Sequence, residues 1–139
     1  MTIRNLDKLF APASVAVIGA SERSGSIGSV LTRNIVSNGF AGPVWGVNPH
    51  YRDTVQGVPC FASVSDLPAA PDLAVIVTPI EAAPGLVAEL GAHGTRAVVV
   101  ISAAREDTDG ARIKSAILAA ARPHTVRVVG PNCLGVMVP

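Results

Sequence analysis

The stretch from Ser14 to Gly28, SVAVIGASERSGSIG, constrains this chain more than any other. It opens as an unbroken apolar run, Val15 to Ile18, the pattern of a strand buried on both faces. It then passes Gly19, Gly25 and Gly28 into a segment of helical periodicity. Buried strand, glycine-rich turn and helix N-terminus in that order make an anion site, because the first helical N–H groups lack partners and the helix dipole is positive there. The spacing is not G-x-G-x-x-G, and the lysine-bearing P-loop pattern is absent. A phosphate-bearing cofactor is therefore expected, with its identity left to the rest of the chain.

The remaining sequence repeats the alternation. Leu6 to Phe10 reads as one helical turn stopped by Pro12, its Leu6, Leu9 and Phe10 covering an edge of the core. After the first strand, Ser26 is placed to cap a helix running to Ser37, with Ile27, Val30, Leu31 and Ile35 on one face and Asn38-Gly39 ending it. Strands are expected at Pro43 to Val47, Leu73 to Val77, Ala97 to Ile101 and Val126 to Val129, with a short one at Gly57 to Phe61. Ser65 to Pro68 reads as a turn or short helix start. Helices are expected at Ala82 to Ala92, with Leu86, Val87 and Leu90 inward, and at Asp107 to Ala121, with Ile113, Ala116, Ile117 and Ala120 inward. Strands alternating with three-turn helices give an α/β class: a single domain with a Rossmann-like, doubly wound parallel sheet over residues 1–139.

Such sheets bind ligands at the carboxyl ends of their strands, near the point where strand order reverses. Those ends are Gly19-Ala20-Ser21, Asn48-Pro49, Thr78-Pro79, Ser102-Ala103 and Gly130-Pro131-Asn132. None is a carboxylate or a histidine, which favours a binding crevice over an acid–base active site, and no catalytic residue is assigned. No His, Cys and carboxylate spacing suggests a metal site. Cys60 reads as packing, Cys133 as a small residue at a turn with no evident base, and His93 and His124 as surface residues. A net charge of +1 gives no reason to expect nucleic acid or an acidic membrane as partner. The polar N-terminus is unlike a signal peptide, no apolar run approaches the roughly 20 residues of a membrane helix, and two cysteines are too few for a disulfide framework, so a cytoplasmic protein is expected.

An NAD site needs an acidic residue about 20 positions past the glycines to hold the ribose hydroxyls. Counting from Gly28 reaches Asn48, and the nearest acid is Asp53. NADP fits better, since Arg52 can meet a 2′-phosphate. A nucleotide-sensing domain of that kind and a scaffold whose loop binds nothing both remain open on the residues alone.

The opening run Asn5 to Ser21, the Val47-Asn48-Pro49 turn, the Val77-Thr78-Pro79 strand end and the closing Gly130-Pro131-Asn132-Cys133-Leu134-Gly135 stand in an order spanning nearly the whole chain. In these features the chain resembles the CoA-binding domain of NDP-forming acyl-CoA synthetases. That domain is shared with the succinyl-CoA synthetase α subunit and with certain protein lysine acetyltransferases. The resemblance implies that coenzyme A or acyl-CoA lies across the strand ends. It places Gly19, Ser21, Arg23, Gly25, Ser26 and Gly28 around the phosphates, and Asn48 and Pro49 near the adenosine. Val77, Thr78 and Pro79 would follow the pantetheine, with Ile101, Ser102 and Ala103 at its far end and Asn132 and Cys133 where the thiol reacts. Two departures stand out: His50, followed by Arg52, replaces the lysine that often follows Asn-Pro and could meet the CoA 3′-phosphate, and Ala103-Ala104-Arg105-Glu106-Asp107 replaces a glycine- and glutamate-bearing segment. The resemblance further implies other synthetase domains or subunits as partners. Their phosphohistidine and nucleotide-grasping part, which exchange acyl-CoA, phosphate and NDP with acid, CoA and NTP, belong to regions beyond this module, so the chain is expected to be the first part of a longer protein.

Overall fold

A computed structural model describes residues 3–137. It contains α1 (Leu6–Phe10), β1 (Val15–Ile18), α2 (Ile27–Ser37), β2 (Val44–Val47), β3 (Thr54–Val55) and β4 (Val58–Phe61). The second part contains β5 (Leu73–Ile76), α3 (Ala83–His93), β6 (Ala97–Val100), α4 (Gly110–Ala121) and β7 (Arg127–Val129). The strands form one sheet in the order β3-β4-β2-β1-β5-β6-β7. All pairings are parallel except the β3–β4 hairpin at one edge. The chain winds outward from β1 to β2 and β4, then returns to lay β5 on the other side of β1. This reversal between β1 and β5 is the switch point of a Rossmann-like sheet.

Strand pairing is in tight register: Val15 lies opposite Val44 on one side and Leu73 on the other, and Ile76 lies opposite Val100. Side chains alternate between the two faces. Ala16, Ile18, Ala74, Ile76, Val98 and Val100 meet Val87 and Leu90 of α3 and Ile117 and Ala121 of α4. Val15, Val17, Val75 and Val99 point the other way, toward Leu9 of α1 and the partly buried Leu31 and Ile35 of α2. Every β1 residue is buried, as the unbroken apolar run predicts.

Several packing details differ from the sequence expectation. In α2 the buried positions are Gly28, Ser29 and Thr32, while Ile27 is 58% exposed and Val30 also faces outward. The helix is turned so that Gly28 meets the strand, which a bulky residue could not do. The fourth helix begins at Gly110 because the Asp109 side chain accepts the Arg112 N–H and so caps it. Its inward stripe is Ile113, Ile117 and Ala121, and Ala116 is exposed. Phe10 is 46% exposed, leaving Leu9 as the buried residue of α1. His93 and His124 are both half-buried, not on the surface: an added Cβ at Gly91 would lie 2.8 Å from the His124 ring. Ser65 to Pro68 contributes to a single 3-10 turn, Val64–Asp66.

Candidate functional site

Because β1, β2, β5, β6 and β7 run in parallel, the segments after them gather along one edge of the sheet. The edge begins at Gly19, whose φ of 101° only glycine adopts readily. A Cβ at Gly28 would collide with the Gly19 carbonyl oxygen. The first turn of α2 therefore sits directly on the end of β1, and within the helix the buried Thr32 hydroxyl is satisfied by donating to the Gly28 carbonyl oxygen at 2.7 Å.

Ser26 is the N-cap of α2, its Oγ accepting the Ser29 N–H at 3.2 Å. That leaves the N–H groups of Ile27 and Gly28 as first-turn donors without an intrahelical acceptor. Gly25 (φ 77°) has no heavy atom within 4 Å of where a side chain would start, so the loop in front of those donors is open. Ser21 Oγ accepts the Arg23 N–H at 3.0 Å and lies 3.2 Å from the Tyr51 hydroxyl. Arg23, His50 and Arg52, in the two segments that the Ser21–Tyr51 contact brings together, are all exposed, and the two arginines carry positive charge.

The hairpin after β2 is clipped to the loop by a residue that sequence reasoning missed. Gln56, in the left-handed region at φ 50°, donates its backbone N–H to Glu22. Its side-chain amide reaches Glu22 Oε2 at 3.0 Å, Ser29 Oγ at 3.1 Å and the Ser21 carbonyl at 3.2 Å. The Glu22 carboxylate is thereby engaged on the hairpin. The Asn48 side chain also works within the fold. Its amide donates to the Ala20 carbonyl at 2.9 Å, and its carbonyl oxygen accepts the His50 N–H at 2.9 Å. Both polar ends of that side chain therefore have internal partners. Within the hairpin, Cys60 of β4 is buried, and burial pushes its thiol pKa up, although contacts to the Asn48 and Phe61 carbonyls act in the opposite direction.

On the other side of the switch point, Val77, Thr78 and Pro79 follow β5, and Ile101, Ser102 and Ala103 follow β6. The Ser102 hydroxyl donates to the Thr78 carbonyl oxygen. Thr78 Oγ1 is itself buried and has no hydrogen-bond partner among the described residues. An orphaned hydroxyl in this position costs free energy unless a ligand completes it. After β7, the Asn132 N–H donates to the Ser102 carbonyl at 3.0 Å, and Asn132 sits in the left-handed region at φ 55°. The half-buried Cys133 directs its Sγ at the Val100 carbonyl, 3.3 Å away.

The predicted residues thus lie in the segments that follow the parallel strands, with the open helix N-terminus at Ser21 to Gly28 on one side of the switch point and the Thr78 and Ser102 hydroxyls on the other. An open helix N-terminus, the exposed Arg23 and Arg52 and an unsatisfied hydroxyl further along fit a long ligand with phosphates at one end and amides at the other.

The CoA binding domain family matches residues 13–139. The chain belongs to that family. This CoA-binding domain binds coenzyme A and is homologous to the CoA-binding module of NDP-forming acyl-CoA synthetases. It is 40% identical over 134 residues to ADP-forming acetate–CoA ligase I of Archaeoglobus fulgidus, covering 95% of this chain and 19% of that one. It is also 40% identical over 131 residues to ADP-forming 4-hydroxybutyrate–CoA ligase of Nitrosopumilus maritimus, covering 93% of this chain and 18% of that one. Among solved structures, the apo dinucleotide-forming acetyl-coenzyme A synthetase 1 of Candidatus Korarchaeum cryptofilum superposes with a TM-score of 0.86 at 35% identity, over 94% of this chain and 28% of that one. The chain therefore spans about a fifth of the length of these two curated relatives. Among the described residues, no helix is long and apolar enough to cross a membrane, and no cluster of His, Cys, Asp or Glu could hold a metal ion.

Proposed function

We propose that this domain holds CoA along the carboxyl edge of its sheet on behalf of an NDP-forming acyl-CoA synthetase whose phosphoryl chemistry takes place on other domains or subunits, in the cytoplasm. The open first turn of α2 and its mouth, from Ser21 to Gly28, take the phosphates. Thr78 and Ser102 lie along the pantetheine, and Asn132 and Cys133 stand near the thiol. Arg52 takes the 3′-phosphate in preference to His50, because a guanidinium can give paired hydrogen bonds to phosphate oxygens. Pro49 and Asn48 form the wall on the adenosine side, with the Asn48 amide shaping the turn. The observation that carries this reading is the buried, unpartnered Thr78 hydroxyl on the same edge as the open helix N-terminus.

Isothermal titration tests it. The domain should bind CoA, and dephospho-CoA should bind about tenfold more weakly, the scale of one charge-assisted hydrogen bond. Arg52→Ala should close that gap while His50→Ala leaves it open. No heat with millimolar CoA would reject the assignment.

A further inference from the structure

The face of the sheet opposite α3 and α4 is only partly covered. Between α1, α2 and strands β5 and β6 runs a groove of about 760 Å³, within the size range of ligand sites. Val75, Val99 and Ile101 form its floor, and Leu31 and Ile35 of α2 form one wall. Among the described residues no charged side chain lines it; Asn34 of α2 and Asn38 just past its end, both exposed, carry its only polar side chains.

Its position gives it a meaning beyond an uncovered surface. The upper end of the floor is Ile101, immediately before Ser102 on the strand-end edge. Leu134 and Val136, which follow Cys133 closely, stand at its rim. The groove therefore starts where the thiol end of CoA is placed and leads away from the phosphate half. What extends beyond the thiol of an acyl-CoA is the acyl chain, and this adjoining surface is apolar.

We propose that this groove receives the aliphatic acyl chain of an acyl-CoA and favours chains longer than acetyl. This rests on the CoA reading of the strand ends. A buried methylene gives about a fourfold gain in affinity. The groove is open along one side, so the gain per carbon is smaller than that.

The experiment titrates the 139-residue chain with CoA, acetyl-CoA, butyryl-CoA and octanoyl-CoA, all below micellar concentrations. Octanoyl-CoA should bind at least about tenfold more tightly than butyryl-CoA. Leu31→Trp fills the groove from α2. Asn34→Trp does the same from an exposed position whose side chain makes no core contact, so it remains informative if Leu31→Trp does not fold. The folded variants should lose the dependence on chain length and keep the affinity for CoA. Equal affinities across the acyl series would overturn the proposal, as would a chain-length dependence that survives in Asn34→Trp, which would mean nonspecific binding. If CoA itself does not bind, the strand-end reading fails, and the groove proposal falls with it.

Discussion

The two halves of the sheet are held together differently. The β5–β6–β7 half is an apolar laminate: Val87, Leu90, Ile117 and Ala121 close over Ala74, Ile76, Val98 and Val100. The β1–β2–β4 half has a smaller apolar core, Val17, Val44, Val55, Val58 and Cys60, and adds close backbone approach and polar clips: Gly28 on Gly19, Asn48 on Ala20, and Gln56 on Glu22, Ser21 and Ser29. The α3 and α4 side of the first half provides stability away from the strand ends where the ligand is placed. The other half gives up bulk so that backbone N–H groups and hydroxyls can stand at the surface. Stability and binding should therefore respond to mutation in opposite order in the two halves.

The largest expected effect on stability lies in the laminate. Leu90 is fully buried, and Leu90→Ala should cost about 2–5 kcal/mol in denaturant unfolding. CoA affinity in the variant that stays folded should be nearly unchanged. A matching loss of affinity would break the contrast. Gln56→Ala is the counterpart in the clipped half. It removes side-chain hydrogen bonds that are partly solvated, so about 1 kcal/mol of stability should be lost. Its effect on CoA affinity should exceed that of Leu90→Ala, because the phosphate loop loses its support; equal or smaller weakening would place the loop's shape elsewhere.

The smallest effect concerns pH. Burial raises the Cys60 pKa in the folded state, so folding favours the neutral thiol. That contribution is complete below the ordinary thiol value, about 8.5, and is lost as pH rises beyond it. Urea midpoints should therefore decline above about pH 9, and Cys60→Ala should show a shallower decline. Identical slopes would remove Cys60 from the account.

Much of this was legible in the sequence, for physical reasons that can be named. Val15 to Ile18 is apolar at every position, and only a strand covered on both faces calls for that. Ser26 and Gly39 bracket α2 by cap chemistry, and the neutral strand ends announce a binding edge. The α2 face was misread because apolar periodicity picks out Ile27 and Val30, whereas Gly28 must turn inward to reach Gly19, and close approach leaves no mark in hydrophobicity. The start of α4 at Gly110 depends on which of two aspartates caps it, and Asp107 and Asp109 are equivalent in sequence. Gln56 could not be found: an isolated glutamine carries no motif, and its role exists only because the hairpin folds back onto residues about thirty positions earlier.

That fold-back ties two segments into one cooperative unit. Gln56 reaches Glu22 across 34 residues of chain and Ser29 across 27, while Ser21 reaches Tyr51 across 30. A local opening that frees the β3–β4 hairpin must break the same hydrogen bonds that shape the loop, and an opening of the loop must release the hairpin. Whatever binds the loop therefore slows amide exchange in a hairpin it need never touch.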